Sequence, residues 1–187
     1  DPSIPEVYRN GYARFGLPKD EFPETGHWPH QLYVREARRM VSDYVLTEQD
    51  TQHIRQPEDP IAMGSYAMDS HNCQRFVKDG CVYNEGDVQL KPKAPYGISY
   101  RSITPAEGEC GNLFVPVCLS ASHIAFGSIR MEPVFMALAE SAAIAADILL
   151  EDHLDVQQIN YQTLASQLEA ANQVLQYSEE PSHSCSA

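Results

Sequence analysis

One stretch near the C-terminal end constrains this chain more than any other. Residues 131–150 read Met-Glu-Pro-Val-Phe-Met-Ala-Leu-Ala-Glu-Ser-Ala-Ala-Ile-Ala-Ala-Asp-Ile-Leu-Leu. Glu132 and Pro133 suit the first turn of a helix, where an acid meets the positive end of the dipole and proline wastes no N–H. Val134, Leu138, Ser141, Ala145 and Ile148 fall on one stripe, and Glu132, Glu140, Asp147 and Glu151 on another. Ala137, Ala139, Ala142, Ala143, Ala145 and Ala146 keep the helix slim. Such a helix admits a sheet or a second helix very close to its backbone, so the rest of the chain must supply that layer.

The preceding residues carry the material for it. The 187 residues suffice for one compact domain or a domain and a half, and a hydrophobic share of 43% is enough for a packed core. Residues 1–31, rich in Pro, Gly and aromatics, read as an irregular arm. In 32–47 the two ends look like strand, and the Arg-rich middle fits helix and strand periods equally. Residues 47–50 read as a turn or a short helix start. Strands are expected at 62–68, 74–78 and 82–84, with Asp79-Gly80 as a hairpin turn. Further strands are expected at 97–103 and at 112–119, the latter apolar and of buried type, with Pro116 at an end or edge. A last helix is expected at 161–171, capped by Asn160, with Leu164 and Leu168 inward. The tail after Tyr177 is polar.

Thirteen Lys and Arg face twenty-six Asp and Glu, a net charge of −13. Nucleic acid is therefore not the expected partner, because phosphate binding needs a basic surface. Arg35, Arg38 and Arg39 cluster nonetheless. They fit either an anion site or surface pairs with Glu36 and Asp43. No apolar run reaches the roughly 18 residues of a membrane span. The start, Asp1-Pro2-Ser3, has neither initiator Met nor signal peptide. It reads as a processed or truncated product, with the cytoplasm favoured unless a targeting segment was removed. Cys73, Cys81, Cys110, Cys118 and Cys185 form no CxxC. Reduced, buried thiols are the default, with Cys73–Cys81 and Cys110–Cys118 bridges left open. His27 and His30 have HxxH spacing, but Pro29 breaks a helix there, so they read as loop packing. Asp69, His71 and Cys73 alternate and would share a strand face, as a polar strip or a metal site. No Gly-x-Ser-x-Gly elbow supports a hydrolase.

The stretch 96–146 carries the chemistry. A strand leads to a loop bearing Ser122, His123, Gly127, Ser128, Ile129 and Arg130, which feeds the alanine-rich helix at Met131. Free N–H groups at a helix start carry about half a positive charge and suit an electron-rich ring or an anion. Gly127 permits close backbone approach. Arg130 adds a fixed charge, and His123 can move a proton near neutral pH. The bland alternative is an ordinary helix cap with a structural histidine.

Three blocks in this stretch resemble one bacterial family. They are Ile98-Ser99-Tyr100-Arg101-Ser102-Ile103-Thr104-Pro105, then Asn112-Leu113-Phe114-Val115, then Ser120-Ala121-Ser122-His123-Ile124-Ala125-Phe126-Gly127-Ser128-Ile129-Arg130. In this order, before an Ala-rich helix, they resemble the FAD-dependent oxidoreductases described as xanthan-lyase-related, relatives of fumarate-reductase-like and glutathione-reductase-like flavoproteins. The likeness is clear over 96–150 and looser upstream, through residues 33–39 and 68–72. It implies FAD as cofactor, with Ser122, Gly127, Ser128, Ile129, Arg130 and Met131 along the flavin. It implies His123, Arg130 and Arg101 as catalytic groups. Two departures stand out. Pro116-Val117-Cys118 replaces the family's Ala-Gly-Arg, and Ala139-Glu140-Ser141-Ala142-Ala143 replaces its Gly-x-Ala-Ala-Gly. None of the ten glycines forms the Gly-x-Gly-x-x-Gly turn that holds the FAD pyrophosphate.

The expected fold is α/β, specifically an α+β fragment: a β-rich substrate-side portion, then the closing strand and helix of a glutathione-reductase-like FAD domain. Residues 1–95 form the arm and substrate side, 96–150 return to the FAD domain, and 151–187 form a helix and tail. The expected function is the C-terminal portion of an FAD-dependent oxidoreductase, moving hydride between flavin and an unknown substrate, with a carbohydrate-related one as the candidate. A missing N-terminal FAD-binding segment or second chain would complete it. The alternative is a non-catalytic binding or assembly module, with a homo-oligomer as one form.

Overall fold

The structure, a computed structural model, describes residues 2–30, 36 and 38–178. The chain divides into two compact units, Asp1–Arg35 and Glu36–Ala187.

The first unit holds helix α1, Glu6–Tyr12, which follows Pro5 and opens on an acid; none of its residues is buried. A 3-10 turn spans Pro23–Thr25, flanked by left-handed Phe22 (φ 53°) and Gly26 (φ 66°). Val7, Tyr8, Tyr12, Phe15 and Trp28 are exposed. The His27 and His30 rings are used locally. His27 Nδ1 lies 2.9 Å from the Glu21 carbonyl, and His30 Nε2 lies 2.9 Å from Glu24 Oε1. Helix α1 and the 3-10 turn interrupt the irregular course expected of residues 1–31.

The second unit is α+β. Helix α2, Glu48–Thr51, starts where Asp50 Oδ2 accepts the Thr47 N–H at 2.7 Å. Among the described residues six strands follow: β1 Pro60–Gly64, β2 Met68–Ser70, β3 Gln74–Lys78, β4 Cys81–Glu85, β5 Val88–Leu90 and β6 Tyr96–Ser99. They pair as three two-stranded antiparallel sheets, β1 with β6, β2 with β5 and β3 with β4. Helices α3 His123–Ile129, α4 Glu132–Asp152 and α5 Tyr161–Ala170 complete the unit. The Asp79-Gly80 turn has both residues at positive φ, 52° and 77°, as a tight two-residue hairpin requires.

The core lies between α4, β1, β6 and α5. Leu138, Ser141, Ala142, Ala145, Ile148 and Leu149 of α4 are buried, and Glu132, Glu140, Asp147 and Glu151 are exposed. Ser141 Oγ donates to the Ile61 carbonyl of β1 at 2.7 Å. A small side chain there lets the helix lie on the strand and still satisfies its hydroxyl. Leu164 and Leu168 of α5 are fully buried, and Asn160 Oδ1 accepts the Thr163 N–H at 3.2 Å.

Several expectations need correction. Residues 112–119 form no strand. Pro116 has no N–H to give, and the segment's bonds go to two places: Val115 N–H to Ile103 O at 2.8 Å, and Met40 N–H to Cys118 O at 2.9 Å. The closing strand is thereby reduced to one parallel bridge, Leu46 with Ala121. The strand expected at the end of 32–47 shrinks to the same bridge, and residues 31–35 and 37 lie outside the described residues. Residues 100–102 turn into a 3-10 helix rather than continuing β6. The thiols are free, yet Cys73 and Cys81 are exposed, and Cys110 and Cys118 are half-buried. Cys73 and Cys81 sit at opposite ends of the β3–β4 hairpin, since Cys81 pairs with Lys78 while the Cys73 N–H bonds Glu85 O. They cannot bridge at that separation. Cys185 lies outside the described residues. Helix α4 also reaches the length and mean hydropathy, 1.7 over 18 residues, of a membrane span, with 39% of that window buried inside the molecule. The averaged window passes where an unbroken apolar run does not, because Glu140 and Asp147 interrupt the run.

Candidate functional site

The expected loop before the alanine-rich helix is itself a helix. Ala121 bridges Leu46, and the Ser122 N–H donates to Leu46 O at 2.7 Å. Ser122 then caps α3, its Oγ accepting the Ala125 N–H at 3.3 Å. Seven residues later the chain leaves the helix, and Arg130 and Met131 alone separate α3 from α4.

This changes what the predicted residues face. Gly127, Ser128, Ile129 and Arg130 are buried, whereas Ser122 and Met131 are half-buried and His123 is exposed. A Cβ on Gly127 would meet the Asp69 carbonyl oxygen of β2 at 2.7 Å, so the close approach the glycine permits is already taken by β2. Ser128 Oγ accepts from Tyr96 Oη at 2.6 Å and donates to the Tyr66 carbonyl. Arg130 Nη2 donates to the Asp69 carbonyl at 3.1 Å and carboxylate at 3.2 Å, and its buried Nε has no acceptor among the described residues. His123 Nδ1 lies 3.4 Å from Glu36 Oε2.

Arg101 belongs to another cluster. Its Nε and Nη2 reach Asp59 Oδ2 and Oδ1 at 3.0 and 3.3 Å, and Ser99 Oγ donates to the same carboxylate at 2.8 Å. The Arg101 guanidinium lies 5.1 Å from the Tyr44 ring centre, and that of Arg55 lies 4.4 Å from it. Tyr44 Oη donates to Asp50 Oδ1 at 2.5 Å, and Arg55 Nη2 reaches Asp50 Oδ2 at 2.5 Å. Burial pushes the Asp50 carboxyl up, but hydrogen bonds from Arg55, Tyr44 and the Thr47 N–H more than offset it and hold it below its ordinary value. Burial, reinforced by Asp50, drives the Tyr44 phenol well above its usual range. The hydrogen bond from Asp59 raises Arg101 further, so it is a fixed cation.

Two clefts open on this side. One of about 740 Å³ includes Asp50, Arg55, Lys93, Tyr96 and Tyr161 in its lining. The other, about 470 Å³, includes Asp43, Glu58, Asp59, Arg101 and Glu107. Neither is lined by His123 or Arg130. The structure therefore gives Arg101, His123 and Arg130 three separate acidic partners, Asp59, Glu36 and Asp69. Of the upstream arginines, Arg39 Nε donates to the Ala121 carbonyl at 2.9 Å, and its guanidinium lies 5.1 Å from the Phe126 ring centre. Arg35 lies outside the described residues. Asp69 lies in β2 and His71 just past its end at Ser70, with Nε2 and Oδ2 4.0 Å apart, so the three alternating residues do not share one strand. Sequence reasoning missed Asp59, Asp50, Tyr44 and Arg55. Their only local signal was Asp50 three residues after Thr47, the spacing of a capping box.

Residues 4–168 match the model of the FAD dependent oxidoreductase family, and the chain belongs to that family. The match runs through most of both units. No curated protein and no solved structure matches the chain. Membership implies FAD as the cofactor. Against that group the predicted contacts divide. Gly127, Ser128, Ile129 and Arg130 are buried, with Gly127 and Arg130 against Asp69 of β2 and Ser128 bonded to Tyr66 and Tyr96. Ser122, His123 and Met131 remain accessible to a ligand.

Proposed function

We propose that this chain is the substrate-side and closing portion of an FAD-dependent oxidoreductase. On this reading it meets the cofactor through Ser122, His123 and Met131, at the starts of α3 and α4. The observation that carries the proposal is the accessibility of these three residues beside the buried Gly127–Arg130 turn, in a chain whose family is FAD-dependent. The chemistry FAD supplies when bound is hydride transfer with a small-molecule substrate. The sequence resemblance points to a carbohydrate-related one. His123 handles a proton at the open edge, with Glu36 as its partner. Arg101 and Arg130 act through the carboxylates they hold. With no Gly-x-Gly-x-x-Gly turn in the sequence, the pyrophosphate contacts come from a further segment or a second chain.

The test uses the native protein with whatever polypeptides accompany it. His123→Ala should weaken FAD retention several-fold, with far-UV circular dichroism unchanged. Unaltered flavin content and an unaltered flavin spectrum would contradict the site.

One observation favours a second reading, a non-catalytic binding or assembly module. The expected flavin face of Gly127–Arg130 is occupied by Asp69 of the chain's own β2. On that reading the native protein carries no flavin.

A further inference from the structure

The β3–β4 hairpin exposes apolar side chains on both of its faces. Every residue of the two strands is exposed. Phe76 lies opposite Tyr83 on one face, their rings stacked with centres 5.8 Å apart. Val77 lies opposite Val82 on the other, and these two are 72% and 70% exposed. Among the described residues neither strand pairs with a third. A two-stranded hairpin with no packed face is marginal in water, and a free strand edge is a template for another strand.

The two edges are not equivalent. Strand β3 carries Arg75 and Lys78, cations of the kind that keep an edge from pairing. Pairing β3 with its own copy would gather two cations from each chain along one seam. Strand β4 carries one charge, Glu85, at its end. The backbone points the same way. Lys78 and Cys81 flank the Asp79-Gly80 turn and exchange hydrogen bonds, and bonded pairs alternate from there. Cys81, Tyr83 and Glu85 therefore bond inward to β3, and Val82 and Asn84 turn their N–H and C=O groups to the free edge. An antiparallel copy of β4 centred on Tyr83 answers all of these groups. Val82 then pairs with the partner's Asn84, and Asn84 with the partner's Val82. Tyr83 meets the partner's Tyr83 on the axis, and Glu85 falls opposite the partner's Cys81, so no like charges face each other. The Phe76–Tyr83 stack continues into its copy as one aromatic row. Such a contact is isologous and closes on itself, whereas β4 on the β3 of a further copy would propagate.

We propose that two copies of this chain join edge to edge through β4, forming a four-stranded antiparallel sheet in the order β3-β4-β4-β3 with Tyr83 on the two-fold axis. The carrying observation is the self-complementary edge of β4 beside the cation-guarded edge of β3. The pairing does not depend on flavin, so it stands or falls apart from the proposed function.

The test combines mass in solution with a disulfide placed on the axis. Sedimentation equilibrium of the native protein over a dilution series should show an assembly with two copies of the chain. Val82→Pro removes an outward N–H from β4 and should abolish the pairing, while Val77→Pro removes one from β3 and should leave it intact. Tyr83→Cys should give a symmetric disulfide on mild oxidation, because residues facing each other at a non-hydrogen-bonded position lie about 4.5 Å apart at Cα, within disulfide reach. Asn84→Cys should not, since two copies of residue 84 are offset by roughly 7 Å along the strands as well as by the strand spacing. The unaltered protein, with its own cysteines, is the control, and peptide mass spectrometry identifies the linked residues. Where Val82→Pro does not fold, the disulfide pair decides. One copy of the chain at every concentration, with no symmetric disulfide in Tyr83→Cys, overturns the proposal. A disulfide from Tyr83→Cys to a different polypeptide, or Asn84→Cys linking as readily as Tyr83→Cys, overturns it as well.

Discussion

Tyr96 shows how far single residues depart from their ordinary chemistry here. It is 1% exposed, donates to Ser128, and its phenol is pushed far above the usual range by burial. Tyr44 and Tyr100 are raised as strongly, and Tyr161 is pushed up to about 12, by burial first and Asp59 second. A phenol raised in the folded state favours folding fully below the unfolded value of about 10, and that contribution is lost as pH rises through the folded value. Four of the ten tyrosines should therefore stay silent in a phenolate absorbance titration until the protein unfolds. A fully buried phenol such as Tyr96 should cost roughly 1.4 kcal/mol of stability per pH unit above about pH 10. All ten tyrosines titrating together near their ordinary value, with the fold intact, would contradict this packing.

At the scale of elements, α4 is the test of close packing. Ser141→Leu should destabilise the protein by about 1–3 kcal/mol, since it overfills the contact with β1 and deletes the hydrogen bond to Ile61 O. Urea unfolding measures it, and a neutral result would mean that α4 does not lie on β1. The same element shows what the sequence could say. The helix was legible because its stripe spans several turns, and the β3–β4 hairpin because Asp79-Gly80 tolerates the positive φ of its turn. Helix α3 was not. It has seven residues, too few to display a period, and it contains Gly127 and Ser128, which have low helix preference. Residues 112–119 misled in the other direction. Their apolar run is real, but Pro116 and bonding to two separate segments prevent a ladder. The candidate site was legible as a set of residue types and not as an arrangement. Nothing local to Arg130 signals that its partner, Asp69, lies 61 positions upstream and approaches across Gly127.

For the whole molecule, the family match over residues 4–168 includes most of the first unit as well as most of the α+β unit. In this acidic chain, with a net charge of −13, Arg55, Arg101 and Arg130 are held on its own carboxylates. The central claim is that this fold works as part of a flavoprotein. Its most direct test is the visible absorption spectrum of the native purified protein, with intact mass recorded on the same sample. The expected result is the two-banded spectrum of bound flavin together with a further polypeptide mass beyond that of this chain's 187 residues. A sample with no flavin absorbance and a single mass matching this chain would contradict it.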